Sequence, residues 1–224
     1  IRRPPRSTQG VSSAASDVYK RQAQHSPDPA ARATPLLRII PHRHALPSLL
    51  RDLGLDRVGA ELGVWKGSYS RRLLSELPDL TLHLVDSWEP VDIYQSADKQ
   101  NDAYAETLQA VEPYKERTRV HRNWTSDAAK TFEDQSLDFV YVDASHDYRN
   151  CRADLIDWWP KVKVGGIFAG NDYYTGHVAA AGVTFGVKDA VDEFAAVRNL
   201  RVYVTAGNDP DGCCPDWYVL KCGE

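Results

Sequence analysis

The chain of 224 residues contains no methionine, few cysteines and no excess of positive charge. Its four cysteines, Cys151, Cys213, Cys214 and Cys222, lack the C-x-x-C spacing of a zinc site. No run of about 18 apolar residues is present, so we expect no transmembrane helix. The formal net charge is -4 and the isoelectric point is about 6.0. A nucleic-acid-binding protein usually has a basic face. We therefore expect neither nucleic acid nor a membrane as a partner.

The first 35 residues differ in composition from the rest. Residues 1–22 are rich in Arg and Ser and resemble the translated sequencing-adapter read-through found at the ends of some protein sequences. A basic transit peptide is the competing interpretation. Residues 23–35 are rich in Ala and Pro, which is typical of a linker. We predict a disordered tail over 1–35, with 1–22 artefactual, and one folded domain over 36–224. We expect a cytoplasmic protein whose native N-terminus, with any targeting signal, is missing.

Apolar segments of strand length alternate five times with segments of helical spacing. The predicted strands cover residues 57–64, 81–85, 118–121, 137–142 and 166–169, and a last pair covers 201–205 and 217–222. This alternation predicts a parallel sheet with helices on both faces. No helix separates the last pair, so it should form an antiparallel hairpin. The fold class is therefore α/β, Rossmann-like, with a mostly parallel seven-stranded sheet and a C-terminal antiparallel hairpin.

Two glycines follow the first predicted strand. Gly63 and Gly67 let the backbone turn tightly and approach a ligand closely. The helix that begins after them offers free N–H groups to a carboxylate. The spacing is not G-x-G-x-x-G, which counts against a dinucleotide site. A plain turn between strand and helix is the alternative interpretation.

An acidic residue ends the second predicted strand. Asp86 lies about 20 residues after the glycines, where a carboxylate accepts hydrogen bonds from ribose hydroxyls. Such an acid fits S-adenosylmethionine (SAM) and NAD equally well. Trp88, two residues later, either covers the adenine or packs in the core. Together with the glycine turn, Asp86 predicts a nucleoside-binding site.

Polar residues also follow the fourth and fifth predicted strands. Asp143 and His146 follow the fourth strand, and Asn171 and Asp172 follow the fifth. Because neighbouring parallel strands end at the same edge of a sheet, these four side chains should share one cleft. Their oxygen atoms suit Mg²⁺ or another divalent cation, and His146 could accept a proton from a substrate hydroxyl. Alternatively, Asp172 caps a turn and His146 binds the backbone.

These motifs together resemble the class I SAM-dependent methyltransferases of the methyltransferase family 24 type. The resemblance covers residues 43–224 and is most specific over 138–172. It implies SAM as the methyl donor, bound by Glu61, Gly63, Val64, Gly67, Ser68, Asp86, Ser87, Trp88, Ser126 and Asp143. Related metal-dependent O-methyltransferases imply Asp143, Asn171 and Asp172 as metal ligands and His146 as the base. Many members of the family have His-Asp where this chain has Asn171-Asp172, and the catechol type has Asp before Asn.

We therefore predict a SAM-dependent O-methyltransferase for a small hydroxylated acceptor such as a sugar or secondary metabolite. His146 would be the base, with or without a divalent cation. An NAD-dependent oxidoreductase and a non-catalytic nucleoside-binding Rossmann domain are the alternatives. Residues 89–101 and 173–185 should shape the acceptor pocket, the second as a lid. The sequence leaves open whether the chain forms homo-oligomers.

Overall fold

The computed structural model describes residues 37–90, 96–178, 183–207 and 214–223. The predicted tail, residues 1–35, lies outside these ranges. The α-helices are α1 (Leu46–Leu53), α2 (Ser68–Glu76), α3 (Ala97–Val111), α4 (Thr125–Ala129), α5 (Tyr148–Trp158) and α6 (Val187–Val197). The strands are β1 (Val58–Leu62), β2 (Thr81–Asp86), β3 (Thr118–Arg122), β4 (Leu137–Val142), β5 (Val162–Gly170), β6 (Thr175–Val178), β7 (Val183–Gly186), β8 (Tyr203–Val204) and β9 (Trp217–Leu220). Short 3-10 helices cover Arg43–Ala45, Glu112–Arg117 and Trp159–Lys161.

Seven strands form one sheet in the order β3-β2-β1-β4-β5-β9-β8. The strands from β3 to β5 are parallel, and β9 runs antiparallel to both β5 and β8. The predicted fold class is therefore confirmed, including the C-terminal antiparallel hairpin. The strand order reverses between β1 and β4, which is where ligands bind in open α/β sheets.

The helices follow from local sequence. In α1, Leu46, Leu49 and Leu50 are buried at helical spacing, and Gly54 ends the helix with a left-handed φ of 69°. In α5, the side chain of Asp147 accepts a hydrogen bond from the backbone N–H of Asn150 and so caps the first turn. Among the helices in the described ranges, none combines the length and the hydropathy of a membrane-spanning segment.

Two elements differ from the sequence-based prediction. Strand β5 begins at Val162 rather than at residue 166, because Gly165 and Gly166 continue the strand instead of breaking it. The predicted lid contains a two-stranded antiparallel hairpin, in which Thr175 pairs with Gly186. Its strands have four residues each and are rich in glycine. A sequence pattern of four residues is too short to distinguish a strand of a hairpin from a loop, so this pair could not be predicted from the sequence.

Candidate functional site

The glycine turn brings the ends of β1 and β4 together. Gly63 has a φ of 81°, and a side chain there would place its Cβ only 2.1 Å from the backbone oxygen of Asp143. The backbone N–H of Asp143 in turn donates to the oxygen of Leu62, at 2.7 Å. Glycine is therefore required for this close approach. The contact places Glu61 and Asp143 on the same cavity.

Asp86 closes the glycine loop. Its Oδ2 accepts from the backbone N–H groups of Val64 and Trp65, at 2.9 and 3.0 Å, and its Oδ1 accepts from that of Trp88, at 2.8 Å. A carboxylate has about four acceptor positions, so one remains for a ligand. The side chain lies at the cavity, as predicted. Whether it binds a ribose stays a prediction.

One cavity of about 680 Å³ lies at the carboxyl ends of the parallel strands. This volume suits a cofactor or a small molecule. It is lined by most of the predicted site residues: Glu61, Gly63, Val64, Ser68, Asp86, Ser87, Ser126, Asp143, His146, Asn171 and Asp172.

Two predicted cofactor residues are not among the described residues that line the cavity. Trp88 is buried, packs edge-on against Tyr104, and donates from Nε1 to the backbone oxygen of Trp65. Gly67 faces α3, because a Cβ there would lie 3.2 Å from the Cα of Thr107. Trp88 and Gly67 therefore support the glycine turn from beneath. Their positions do not favour direct contact with a cofactor.

Glu61 is a buried carboxyl group at the end of β1. The Ser70 hydroxyl donates to its Oε2 at 2.5 Å. Burial raises the pKa of Glu61 to about 8, while the hydrogen bond from Ser70 works in the opposite direction. A cation brought beside this group would favour its ionised form.

Asp143 lies between a cation and a second carboxylate. The Arg43 guanidinium contacts its Oδ2 at 3.2 Å, and the Asn171 amide is 3.5 Å from its Oδ1. Burial raises the pKa of Asp143 to about 8, Arg43 lowers it, and the nearby Asp172 raises it further. The Oδ1 atom of Asn171 is itself buried without a hydrogen-bond partner among the described residues.

His146 pairs with Asp172. Its Nδ1 lies 3.2 Å from Asp172 Oδ2, and its ring stacks on Phe185 of β7 with centroids 5.0 Å apart. Ligand atoms of Asp143, His146 and Asp172 all lie within 4.8 Å of one another. The structure thus brings together the four polar residues that follow β4 and β5. It also makes His146 a candidate metal ligand, in addition to its predicted role as the base.

A family model described as a methyltransferase domain matches residues 60–173, which include the glycine turn, Asp86, Asp143 and Asp172. The chain belongs to this methyltransferase family. No curated protein matches the chain significantly.

Solved structures of methyltransferases share the fold. The O-methyltransferase TomG from Streptomyces achromogenes, involved in tomaymycin synthesis and solved with SAM, has a TM-score of 0.60 at 16% identity, covering 93% of this chain and 96% of its own. Cofactor-bound Rv0187 from MTB has a TM-score of 0.60 at 16% identity, with coverages of 96% and 100%. The N-methyltransferase NodS from Bradyrhizobium japonicum has a TM-score of 0.54 at 14% identity, with coverages of 81% and 97%. This likeness identifies the class I methyltransferase fold and does not distinguish oxygen from nitrogen acceptors.

The methyltransferase domain has site residues that its sequence did not reveal. Arg43 lies in a 3-10 segment before α1, where its backbone N–H donates to Asp216 Oδ2 at 2.9 Å. Asp216 also accepts from the Tyr141 hydroxyl at 2.8 Å. Arg43 is therefore held by Asp216, which directly precedes β9, and it is distant in sequence from the motifs around β1 and β4 that it contacts in space. Asp154 also lines the cavity, and no motif in the sequence marks it. Phe185 lines the cavity too, and it lies in the segment 173–185 that was predicted to shape the acceptor pocket.

Proposed function

We propose that this methyltransferase domain binds SAM in the cavity and transfers its methyl group to a hydroxyl oxygen of a small acceptor. One observation carries the proposal, namely the excess of acidic groups around the cavity. The described lining has a single guanidinium, that of Arg43, against six carboxyl groups: Glu61, Asp86, Glu89, Asp143, Asp154 and Asp172. Burial raises the pKa of Glu61 to about 8, and the sulfonium and ammonium groups of SAM would favour the ionised, negatively charged form of such carboxyl groups. A dinucleotide carries an anionic pyrophosphate, so the oxidoreductase alternative is disfavoured.

Three residues would hold the cofactor. Asp86 keeps an acceptor position for a ribose hydroxyl, in addition to the three backbone N–H groups that it binds. Glu61 would face the ammonium group of the methionyl part, whose charge compensates its burial. Ser126, after β3, would lie near the adenine.

His146 would act as the base. Its neutral ring can donate from Nδ1 to Asp172, which leaves the lone pair on Nε2. The acceptor hydroxyl would lose its proton to Nε2, and its oxygen would bond to the methyl carbon that bound SAM supplies as the carbon–sulfur bond breaks, which leaves neutral S-adenosylhomocysteine as the second product. The Asp172 carboxylate stabilises the imidazolium that forms.

A divalent cation fits the same residues. Asp143, Asp172 and the orphaned Asn171 Oδ1 offer the oxygen ligands that Mg²⁺ and Mn²⁺ prefer. When bound, such an ion would lower the pKa of an acceptor hydroxyl. The buried Asn171 oxygen supports this fit, because buried acceptors are rarely left without a partner.

Calorimetric titration of the full chain with S-adenosylhomocysteine, with and without Mg²⁺, tests cofactor binding. We expect micromolar affinity. No binding in either condition would overturn the proposal. Acceptors carrying hydroxyl or amino groups are then compared for methyl transfer, and transfer to nitrogen alone would contradict the choice of oxygen.

The base is tested with His146→Gln. Loss of a general base should lower kcat about 10²- to 10⁴-fold and leave the affinity for S-adenosylhomocysteine within about twofold. His177→Gln is the matched control, since His177 lies exposed on β6 and contacts Thr184. Unchanged turnover of His146→Gln with every accepted substrate would refute the assignment of His146.

A further inference from the structure

A second, smaller pocket adjoins the cavity beside α2. It has a volume of about 300 Å³, and its described lining comes from residues 43–44 before α1 and from positions 68–75 of α2. We call it the basic pocket. Arg43, Ser68 and Tyr69 line both the cavity and the basic pocket. The Arg43 guanidinium contacts Asp143 Oδ2 at 3.2 Å, so a molecule that lies beside Asp143 can extend past Arg43 into the basic pocket.

The charge of the basic pocket is opposite to that of the cavity. Its described lining has three guanidinium groups, those of Arg43, Arg71 and Arg72, and the imidazole of His44. No carboxyl group is among these described lining residues, whereas six line the cavity. The net charge of the chain is -4, so its composition does not account for such a cluster of cations. Guanidinium groups match the oxygens of phosphates and carboxylates, and the cluster therefore indicates an anionic ligand.

One face of α2 supplies most of the basic pocket. Four lining residues on this helix are three or four positions apart, namely Ser68, Arg71, Arg72 and Ser75. Arg71 completes the first turn, which contains no acidic residue. The N-terminus of a helix carries partial positive charge, so a cation is unfavourable there. An anion bound beside Arg71 would offset this repulsion.

The arginines of α2 keep hydrogen-bond donors for a ligand. The Arg71 side chain has no ion pair or side-chain hydrogen bond within the described part of the chain. Arg72 Nη1 pairs with Glu76 Oε1 at 2.7 Å, which uses one of its five N–H donors. The Ser75 hydroxyl is already used, because it donates to the Arg72 backbone oxygen at 2.8 Å. Two guanidinium groups on one helix face can therefore bind the same anion.

We propose that the basic pocket binds a phosphoryl group of the methyl acceptor, so that the acceptor is a phosphorylated hydroxyl compound. This inference rests on the proposed function, which places the acceptor hydroxyl beside His146. A phosphate monoester carries a charge of about -1.5 to -2 at pH 7 and three strong acceptor oxygens. A carboxylate has two oxygens, which a single guanidinium can bind. The phosphoryl group therefore matches the paired donors of Arg71 and Arg72 better.

Calorimetry with inorganic phosphate tests the basic pocket. The full chain, saturated with S-adenosylhomocysteine, is titrated at pH 8 and low ionic strength, because salt screens exposed charges. The double variant Arg71→Gln/Arg72→Gln should bind phosphate at least about tenfold more weakly than the wild type, since charge-assisted hydrogen bonds are lost. The matched control, Arg51→Gln/Arg57→Gln, removes the same charge outside the described lining of the basic pocket and should keep the wild-type affinity.

Kinetics assigns the phosphoryl group to the acceptor. With an accepted substrate, Arg71→Gln/Arg72→Gln should raise KM at least about tenfold and leave kcat within about twofold, because these arginines bind the acceptor away from the reacting atoms. Inorganic phosphate should compete with the acceptor and not with SAM. An accepted substrate without a phosphoryl group, turned over equally by the wild type and the double variant, would overturn the proposal.

The outcomes separate this proposal from the proposed function. A wild type that does not bind S-adenosylhomocysteine refutes the proposed function. A wild type that binds it but not phosphate, or a folded double variant with wild-type phosphate affinity, refutes the anion site alone. Phosphate binding that S-adenosylhomocysteine abolishes assigns the pocket to the cofactor carboxylate, and phosphate that does not compete with the acceptor assigns it to a separate anion; either result overturns the proposal. Circular dichroism verifies folding, and Arg71→Gln alone carries the test if the double variant does not fold.

Discussion

Replacing Gly63 by alanine should destabilise the protein and impair the site together. A Cβ at this position would lie 2.1 Å from the oxygen and 2.5 Å from the carbonyl carbon of Asp143, and 2.6 Å from the Cα of Ala144. All three are backbone atoms, so no side chain can rotate away. Relief requires the ends of β1 and β4 to separate, which strains the hydrogen bond from Asp143 to Leu62.

Two costs add at Gly63. A left-handed φ costs a residue other than glycine about 1–2 kcal/mol, and forcing an extra carbon into a packed site costs about 1–3 kcal/mol. We therefore expect Gly63→Ala to lower the free energy of unfolding by about 2–5 kcal/mol. That is a large part of the roughly 5–15 kcal/mol that stabilises a typical domain.

Gly54→Ala is the matched control. Gly54 has a φ of 69°, close to that of Gly63, but beyond its chain neighbours no heavy atom lies within 4 Å of the position that its Cβ would take. Gly54→Ala should therefore lower the free energy of unfolding only by the conformational cost of the left-handed φ, about 1–2 kcal/mol. Urea denaturation measures both variants, and calorimetry should show S-adenosylhomocysteine binding weakened at least about tenfold for Gly63→Ala alone. Equal stability losses in the two variants would refute the backbone contact.

Three further predictions concern ionisable groups. Burial lowers the pKa of His83 from 6.5 to about 4, so the unfolded chain takes up the proton first. The free energy of unfolding, measured by urea denaturation, should fall as the pH drops from 6.5 towards 4, and His83→Phe should flatten this pH dependence. An equally steep dependence in the wild type and the variant would contradict the prediction. Glu61 has a pKa of about 8, so binding of an ammonium group beside it at pH 7 should release a proton. Calorimetry should then show a binding enthalpy that depends on the buffer, and Glu61→Gln should abolish this dependence. If the glutamine variant keeps that dependence, another group releases the proton. Asp216→Asn should cost about 1–3 kcal/mol in thermal or urea unfolding, because its amide cannot accept from both the Tyr141 hydroxyl and the Arg43 N–H; an unchanged stability would exclude this double role.

The strand ends were predictable because parallel strands share one direction. Leu62, the last residue of β1, pairs with Val85 of β2 and with Val142 of β4. The residues that follow β1, β2 and β4 must therefore lie at one edge of the sheet. This explains why Asp86 and Asp143 could be placed at one cavity from the sequence alone. The positions of Asp86 and Asp143 follow from where each strand ends and from the parallel direction of the strands, and the pattern of apolar residues in the sequence predicts both.

Contacts made by isolated side chains were not predictable. Arg43 and Asp143 are separated by 100 positions, and no periodic pattern links them. Asp154 lies in a helix of mixed composition, where an acid usually indicates a solvent-exposed face, and its burial and its hydrogen bond from Thr125 of α4 depend on tertiary packing. Phe185 reaches His146 through a hairpin whose strands are too short to predict.

Unfavourable backbone conformations support the location of the site independently of any family resemblance. Five residues other than glycine have positive φ among the described residues, and three of them, Trp65, Trp88 and Asp172, lie at the cavity or directly beneath it, with φ of 54°, 46° and 54°. Bulky side chains rarely adopt this region. Asp172 also follows Asn171, whose buried Oδ1 has no described partner. Strained backbone and an unsatisfied acceptor persist where the surrounding packing imposes them, and such features concentrate at functional sites. The unfavourable φ angles and the unpaired Asn171 oxygen occur together at the ends of β1, β2 and β5. This clustering is expected of a ligand-binding site, and a purely structural role for these strand ends does not account for it.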